Sequence, residues 1–306
     1  MVEVIIDFER KKLMKKIVIA AALAVASLGA MAQATVYGRM NATVDSTTTG
    51  GARVDSIVND ISHIGVRVNE DLGGGLAARA VIETSIGSQD PVGSNPTQLG
   101  NRQSTVGLAS KAGSLDIGRN VHGLFTTLGD GDPFGALYGS IAGDVHNLRG
   151  LRLSNGVFAR VNALPGVSVG ADRTYTATGA EATVYSAGTK VGPANVGIAQ
   201  FEQAGEKSTA VSANTKVGNT GLFYSYSDNK GVAASKGHLV GVAQKFGPYT
   251  LKAGYGKTNQ DVKAYNVGAE YAFSKRTDVQ VTYRNVDKAG TVADIKQVGV
   301  GITHRF

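Results

Sequence analysis

The sequence predicts an all-β fold, a transmembrane antiparallel β-barrel of about 16 strands. Three observations lead to it: apolar residues alternate with polar ones at a period of two, tight turns separate the alternating segments, and an export segment precedes them. The composition agrees, because 41 glycines with only 6 prolines disfavour a disordered chain.

The amino-terminal segment has the organisation of a secretory signal peptide. Lys15 and Lys16 precede an apolar run at 17–28, and small residues follow up to Ala34. The run is about a dozen residues long, whereas a membrane-spanning helix needs roughly 20. The alternative interpretation of the run is a buried core helix.

Three regions follow from this interpretation. Residues 1–13 contain acidic side chains that do not belong before a signal peptide, so we expect an upstream start codon there. Residues 14–34 form the signal peptide, with cleavage after Ala32 or Ala34. Residues 35–306 form the barrel.

Several segments of about ten residues carry one apolar face and one polar or glycine face. Such segments occur at 63–68, 249–256, 264–273, 278–284 and 298–306. Period-two alternation is typical of strands with one face in an apolar environment. Seven tight turns are predicted near 71–75, 111–113, 164–166, 192–195, 218–219, 247–248 and 274–276. Eight other connections are predicted near 46–52, 89–100, 123–147, 178–180, 205–206, 230–235, 260–262 and 288–292.

Alternation alone does not separate a membrane barrel from a soluble sandwich. An even strand number with both termini at one end is what a closed barrel requires, and closure leaves no unpaired edge in hydrocarbon. Tyrosines at strand ends suit interfacial aromatic girdles. The last strand alternates its apolar residues outward and ends on Phe306, which resembles a signal for the outer-membrane insertion machinery.

Several motifs, taken in order, resemble the general trimeric porins of Gram-negative outer membranes, most closely the betaproteobacterial branch. The motifs are Glu70-Asp71-Leu72-Gly73-Gly74-Gly75-Leu76, Gly100-Asn101-Arg102-Gln103, Asp116-Ile117-Gly118-Arg119-Asn120, Asp132-Pro133-Phe134-Gly135 and Gly301-Ile302-Thr303-His304-Arg305-Phe306. The resemblance covers the whole mature chain. It implies a channel for passive diffusion of small hydrophilic solutes and ions.

The resemblance also implies that a long third loop folds into the lumen and narrows it. The longest interval in the strand pattern, about 121–147, fits that loop, since long irregular loops are usually functional. Its tip would be Pro133, Phe134 and Gly135, with Gly135 permitting a backbone angle that other residues resist.

In the family, acidic loop residues oppose a basic ladder on the barrel wall, and the opposed charges orient dipolar solutes. The basic positions implied for this chain are Arg39, His63, Arg67, Arg79, Arg102, Arg149 and Arg152. The acidic positions are Asp130, Asp132 and Glu83. Each arginine could instead be a solvated rim residue, and Asp130 with Asp132 could form a loop turn or a weak calcium site.

The formal net charge of +7 predicts anion preference and small anionic solutes. The 31 Lys and Arg are spread along the chain without a dense basic run, so nucleic acid is not an expected partner. The expected partners are two further copies in a homotrimer, outer-membrane lipid and the insertion machinery. Shortened outer loops at 178–292 make the trimer less secure than in longer relatives.

The alternative function is a substrate-specific channel for anions or small acids, and short outer loops argue against an adhesin. An enzyme is not expected, because none of the five histidines belongs to a recognisable nucleophile motif. The absence of cysteine excludes disulfides and Cys-ligated metals. No cofactor or metal motif is apparent.

Overall fold

A computed structural model describes residues 32–59, 61–87, 99–176, 181–231, 235–288 and 293–306, and these contain 17 β-strands and two short helices. The strands are β1 (Ala32–Thr49), β2 (Ala52–Val58), β3 (His63–Gly73), β4 (Leu76–Ser85), β5 (Gln103–Ser110), β6 (Gly113–Val121), β7 (Arg152–Leu164), β8 (Val167–Thr174), β9 (Ala182–Val191), β10 (Ala194–Gln203), β11 (Glu206–Val217), β12 (Thr220–Lys230), β13 (Ser235–Phe246), β14 (Tyr249–Thr258), β15 (Lys263–Ala272), β16 (Thr277–Asp287) and β17 (Ile295–Arg305). The helices are α1 (Gly123–Asp130) and α2 (Ala142–Val145).

The strands close into a 16-stranded antiparallel barrel, which confirms the predicted fold class. Closure occurs where β1 pairs with β17, from Arg39 opposite Arg305 to Thr49 opposite Ile295. β2 and β3 are two halves of one barrel strand, because β1 pairs with β2 through 43–49 and with β3 through 32–39. Among the described strands no sheet edge is left unpaired, as a membrane barrel requires.

The interruption between β2 and β3 is filled by a side chain. Ser62 Oγ accepts a hydrogen bond from the Asn41 backbone N–H at 2.7 Å and donates one to the Asn41 carbonyl at 3.1 Å. Asn59 Oδ1 in turn accepts from the Ser62 backbone N–H at 3.1 Å. The hydroxyl therefore satisfies the backbone groups that lose a strand partner at the break.

Connections at the two ends of the barrel alternate along the chain. Two of them at one end, 50–51 and 204–205, are only two residues long. At the other end, which also holds Phe306, all the connections are tight turns, at 74–75, 111–112, 165–166, 192–193, 218–219, 247–248 and 273–276. We call this end the turn end and the opposite end the loop end. All seven predicted turns coincide with these positions, so the strand boundaries follow the sequence pattern closely.

The alternation predicted for the strands is present in their exposure. In β17 the apolar Val298, Val300 and Ile302 are about half exposed, whereas Gly299 and Gly301 between them are buried. We call the first side the apolar face of the barrel and the second its polar face. Phe306 exchanges two backbone hydrogen bonds with Gly38, which joins the last residue to β1.

The segment 122–151, called loop three below, packs on the polar face of the sheet. Leu124 and Leu128 of α1 form a buried cluster with residues of β7, β9, β10 and β11, and Val145 of α2 joins a second cluster with residues of β13, β15 and β16. These apolar contacts lie on an otherwise polar face. They explain why Leu239 of β13, for example, is apolar at a position where a solvated side chain is expected.

Glycines on the polar face make room for loop three. Pro133 lies against Gly241, Phe134 against Gly268, and Val145 against Gly237. A Cβ atom at Gly268 would lie 2.9 Å from Phe134 Cε1, and one at Gly237 would overlap the Val145 carbonyl oxygen. Close packing of this kind leaves little freedom for the loop to shift.

Three predicted regions lie wholly or largely outside the described residues. They are the extension at 1–13, the signal peptide at 14–34 as far as residue 31, and most of the connection at 89–100, which falls in the interval 88–98. Among the residues that are described, no helix has the length and apolarity to cross a membrane.

Candidate functional site: a basic wall and loop three

Glu83 of β4 is the centre of a charged cluster on the polar face. Its carboxylate accepts from Arg102 Nε at 2.6 Å and from the Tyr37 hydroxyl at 3.1 Å. His63 Nε2 lies 3.6 Å from the same carboxylate, while His63 Nδ1 is 2.7 Å from the Ile61 carbonyl oxygen. The structure thus brings together the predicted residues His63, Glu83 and Arg102.

Three further arginines, Arg67, Arg119 and Arg152, lie near this cluster and form no ion pair among the described residues. The Arg67 guanidinium lies over the Tyr37 ring at 4.2 Å. Arg119 donates to the Asn101 carbonyl at 2.7 Å and to the Ser154 hydroxyl at 2.5 Å. Arg152 lies within electrostatic range of Arg102, Arg119 and Glu83, so positive charges meet here.

We define the basic wall as the basic residues near Glu83 that lie on β1 and β3 to β7 or just before these strands. Its members are Arg39, His63, Arg67, Arg79, Arg102, Arg119 and Arg152. In the described part of the chain, Arg67, Arg119 and Arg152 take part in no ion pair. Arg39 stands in register with His63 of β3 on one side and Arg305 of β17 on the other.

Two predicted arginines are held by carboxylates that the sequence pattern did not place near them. Arg79 binds both carboxylate oxygens of Asp116 on β6, with Nε 2.6 Å from Oδ1. Arg149 pairs with Glu206 and donates to Ser208 Oγ at 2.7 Å. Arg149 belongs to loop three rather than to a wall strand, and it attaches the end of the loop to β11.

Asp132 has a different place from the one predicted. It is 3 % exposed, and its carboxylate accepts from the backbone N–H groups of Phe134 at 3.1 Å and Ala136 at 2.8 Å. The Ser140 hydroxyl adds a third bond at 2.5 Å. Because these donors enclose the carboxylate, we now assign Asp132 to holding the fold of the loop and not to the acidic side of a passage.

The other loop acids are half-buried or paired. Burial raises the pKa of Asp130, whose backbone carbonyl accepts from Asn214 Nδ2 at 3.0 Å. Burial also raises the pKa of Asp144, against the effect of Arg284, whose Nη1 lies 2.7 Å from the carboxylate. Of the predicted acids, Asp130 and Glu83 therefore keep an arrangement compatible with the predicted role.

The predicted loop tip lies against the wall. Pro133 and Phe134 pack on glycines of β13 and β15, and Lys252 Nζ is 5.5 Å from the centre of the Phe134 ring. Gly135 has φ of +66°, which confirms the prediction that it permits an unusual backbone angle.

Tyr138, which the sequence analysis did not identify, attaches loop three to the place where β1 and β17 pair and close the barrel. Its hydroxyl donates to Asp45 Oδ2 of β1 at 2.5 Å, and Gln297 Nε2 of β17 donates to the same oxygen at 2.6 Å. The polar-face position of Asp45 in β1 was the one available signal for this contact.

His146 joins the returning half of loop three to β12. Its two ring nitrogens lie 2.8 Å and 3.0 Å from the hydroxyls of Ser227 and Ser225. The ring is 2 % exposed, and burial together with the nearby His238 lowers the pKa of His146 to about 3. Among the described residues no carboxylate offsets the free-energy cost of protonating the His146 ring.

Acid is therefore expected to weaken this attachment. A histidine with a lowered folded-state pKa binds its proton only on unfolding, so its contribution is complete above about pH 6.5 and is lost as pH falls toward 3, at about 1.4 kcal/mol per unit. Single-channel recordings should show current fluctuations that increase between pH 6 and 4. His146→Gln keeps hydrogen-bonding groups without titrating there and should reduce that increase, while His304→Gln at the turn end should not. Identical pH profiles for all three proteins would contradict the assignment.

The described residues contain no group of three or more His, Asp or Glu side chains arranged to hold a metal ion. The charged groups of the site instead form ion pairs, next to three basic-wall arginines, Arg67, Arg119 and Arg152, that take part in none in the described chain. Such an arrangement can attract, orient and pass ions.

Comparison with known proteins agrees with this architecture. A family model described as Gram-negative porin matches residues 20–291. The major outer membrane protein P.IB of Neisseria meningitidis serogroup B is 35% identical over 130 residues, which cover 40% of this chain and 38% of that protein. An outer membrane porin protein of Bordetella pertussis is 31% identical over 194 residues, covering 55% of this chain and 50% of that protein. The matches thus span half or less of these curated relatives.

Solved structures share the fold. An anion-selective porin from Comamonas acidovorans superposes with a TM-score of 0.72 at 21% identity, covering 90% of this chain and 100% of that one. OmpT of Vibrio cholerae superposes with a TM-score of 0.70 at 14% identity, covering 92% and 99%. Since the family model matches most of the chain and the strands close into the same barrel fold, the chain belongs to the Gram-negative porins of the outer membrane.

Proposed function

We propose that this porin is a passive diffusion channel for small hydrophilic solutes and prefers anions. The observation that carries the proposal is the charge balance of the basic wall. Arg79 and Arg102 are matched by Asp116 and Glu83, whereas Arg67, Arg119 and Arg152 have no carboxylate partner among the described residues. A narrow passage lined by uncompensated positive charge concentrates anions and repels cations.

We infer that loop three lies inside the barrel and narrows it. The polar face of a membrane barrel faces the lumen, and the contacts of the loop are with that face. The loop follows an arc from Asp172 of β8, through β10 to β16, to Asp45 of β1. The stretch of wall that this arc leaves uncovered is the one that holds Glu83 and the basic wall.

The two sides of the proposed passage therefore differ in charge. One side is the basic wall, and the other is loop three, whose carboxylates at Asp132 and Asp144 are already bound. The acidic side thus carries few free carboxylates. We therefore expect the passage to select anions, rather than to hold balanced opposite charges that set up a transverse field. The solved anion-selective porin from Comamonas acidovorans shares the fold of this chain at 21% identity.

We also propose a homotrimer in outer-membrane lipid, inserted with the help of the terminal strand that ends on Phe306. OmpT of Vibrio cholerae has been solved in a trimer form with a TM-score of 0.64 to this chain. The broad band of exposed valine, leucine and isoleucine on the apolar face supplies the surface for lipid and for neighbouring copies.

A substrate-specific channel for small acids is the second candidate. The approach of Arg119 and Arg152 to each other favours it, because neighbouring guanidinium groups can bind a carboxylate or phosphate together. A specific channel would show a current that saturates with the concentration of its solute, whereas a general channel would show a linear increase.

Recording in planar bilayers with asymmetric potassium chloride tests the proposal. The expected reversal potential corresponds to greater permeability for chloride than for potassium, with linear current–voltage curves. Preference for potassium would reject the selectivity and leave the channel intact. Conductance that appears in steps of three would support the trimer.

A further inference from the structure

An aromatic ring lies between two lysines on the polar face near the turn end. Phe223 of β12 covers Gly221 of the same strand, since a Cβ atom there would lie 2.9 Å from Phe223 Cε2. Lys216 of β11 is in register with Gly221, and Lys245 of β13 follows two residues after Ala243, the other neighbour of Gly221. Strand spacing of about 4.8 Å places the two lysine Cα atoms roughly 10–12 Å apart, on either side of the ring.

These three residues line a cavity of about 310 Å³. Asn195, Asn214, Asn219 and Thr250 contribute polar groups to it, and no carboxylate lines it. Asn195 and Asn214 also line an adjoining cavity of about 420 Å³ beneath α1, which includes Asp130 and Arg160 and is a separate cavity. We call the cavity of about 310 Å³ the turn-end groove.

The groove is distinct from the basic wall. Its residues belong to β10 to β14 and the neighbouring turns, whereas the basic wall lies on β1 and β3 to β7. Neither Lys216 nor Lys245 takes part in an ion pair in the described ranges, and Phe223 makes no ring contact there. Apolar rings elsewhere on these strands lie mostly on the apolar face, so neither lipid contact nor loop packing accounts for Phe223.

We propose that the turn-end groove binds a small aromatic carboxylate. The solute ring stacks on Phe223, and the carboxylate is attracted by Lys216 and Lys245, whose flexible stems let both ammonium groups approach one anion. Asn219 and Thr250 contribute further polar groups near the carboxylate, while Asn195 already donates to Asn214 and Asn214 to the Asp130 carbonyl. The volume is at the lower end of the range for small-molecule sites, which suits a single-ring acid.

The proposal adds a second anion site to the proposed anion-preferring channel and rests on it only for access through the lumen. Inorganic anions would meet the lysines but gain nothing from the ring. The site therefore predicts a preference for benzoate over acetate at equal charge. It also predicts stronger binding from the turn end than from the loop end, because loop three lies between the groove and the loop end.

Benzoate block of the chloride current tests the site on the full barrel in planar bilayers. The chain has no cysteine, so Ala52→Cys in the loop-end hairpin, modified by an impermeant thiol reagent, reports the orientation of each channel. Benzoate added at the turn end should reduce the current saturably, and acetate should not. The double variant Lys216→Gln/Lys245→Gln should weaken the block about tenfold, and Phe223→Ala should remove the difference between benzoate and acetate.

The matched control is Lys275→Gln/Arg276→Gln, which removes two positive charges from an exposed turn at the same end. It should leave the block unchanged. Equal block in the lysine double variant and the parent, or equal effects of acetate and benzoate, would overturn the site while leaving the selectivity of the channel in place. Equilibrium dialysis of benzoate with detergent-solubilised protein makes the same comparison without a current, so a failure of conductance would count against the proposed function and not against the site.

Discussion

Replacing Arg102 and Arg152 with glutamine is expected to lower the chloride-to-potassium permeability ratio roughly tenfold in 0.1 M salt. A unit charge about 7 Å from an ion in water contributes about 0.6 kcal/mol, with opposite signs for chloride and potassium. Two lost charges thus change the ratio by about 2.4 kcal/mol before screening, and a Debye length of about 10 Å reduces this by about half. Reversal potentials in asymmetric potassium chloride measure the ratio.

The same change also exposes Glu83, because Arg102 is its closest cationic partner at 2.6 Å. Glu83→Gln should therefore move the ratio in the opposite direction, toward chloride. The matched control is Arg53→Gln/Arg173→Gln, which removes two arginines whose side chains are 65% and 55% exposed near the loop end. If this control lowers the ratio as much as the wall variant does, selectivity arises from total charge and not from the basic wall.

Gly237→Ala is expected to reduce single-channel conductance on the order of tens of per cent and to increase current noise, because strain is transmitted through a close-packed contact. The added methyl group would overlap the Val145 carbonyl, so the returning half of loop three must move away from β13 and toward the passage. Overpacking of this kind costs about 1–3 kcal/mol. Conductance at fixed salt and thermal unfolding in detergent measure the two effects.

Gly188→Ala is the control for this prediction. Gly188 also lies on the polar face, but a Cβ atom there would be 3.4 Å from Ser168 Oγ, an ordinary contact. The conductance of the Gly188→Ala variant should equal that of the parent. If the conductance of Gly237→Ala equals that of the parent and of Gly188→Ala, contact with β13 does not position loop three.

The strand pattern could be predicted from sequence because it is local. Turns such as 218–219 and 247–248 lie where Gly-Asn and Gly-Pro stand, and Val298, Val300 and Ile302 share the apolar face as their alternation requires. A register shift of one residue would turn every apolar side chain of a strand inward. One face of each strand contacts lipid and the other contacts water. The alternation of residues within a strand is therefore enough to determine its register.

The candidate site was predictable only in part. Arg102, His63 and Glu83 were all predicted as residues of the constriction, but Glu83 was predicted on the acidic side, whereas it lies with Arg102 and His63 in one cluster. Arg79 and Arg149 find carboxylates 37 and 57 residues away, at Asp116 and Glu206. No local pattern indicates those pairs, because they depend on which strands are neighbours and on the path of loop three.

By itself, the sequence predicted the barrel, about 16 strands and the alternation of faces along them, because the export segment, the tight turns and the period of two are all local features. The tertiary structure decided which charges remain uncompensated. Asp132 is enclosed by its own loop, Arg79 and Arg149 are paired, and Arg67, Arg119 and Arg152 have no acidic partner in the described chain. Charge compensation acts over a few ångströms between residues distant in sequence, so it exists only once the barrel has closed and loop three has packed against its polar face.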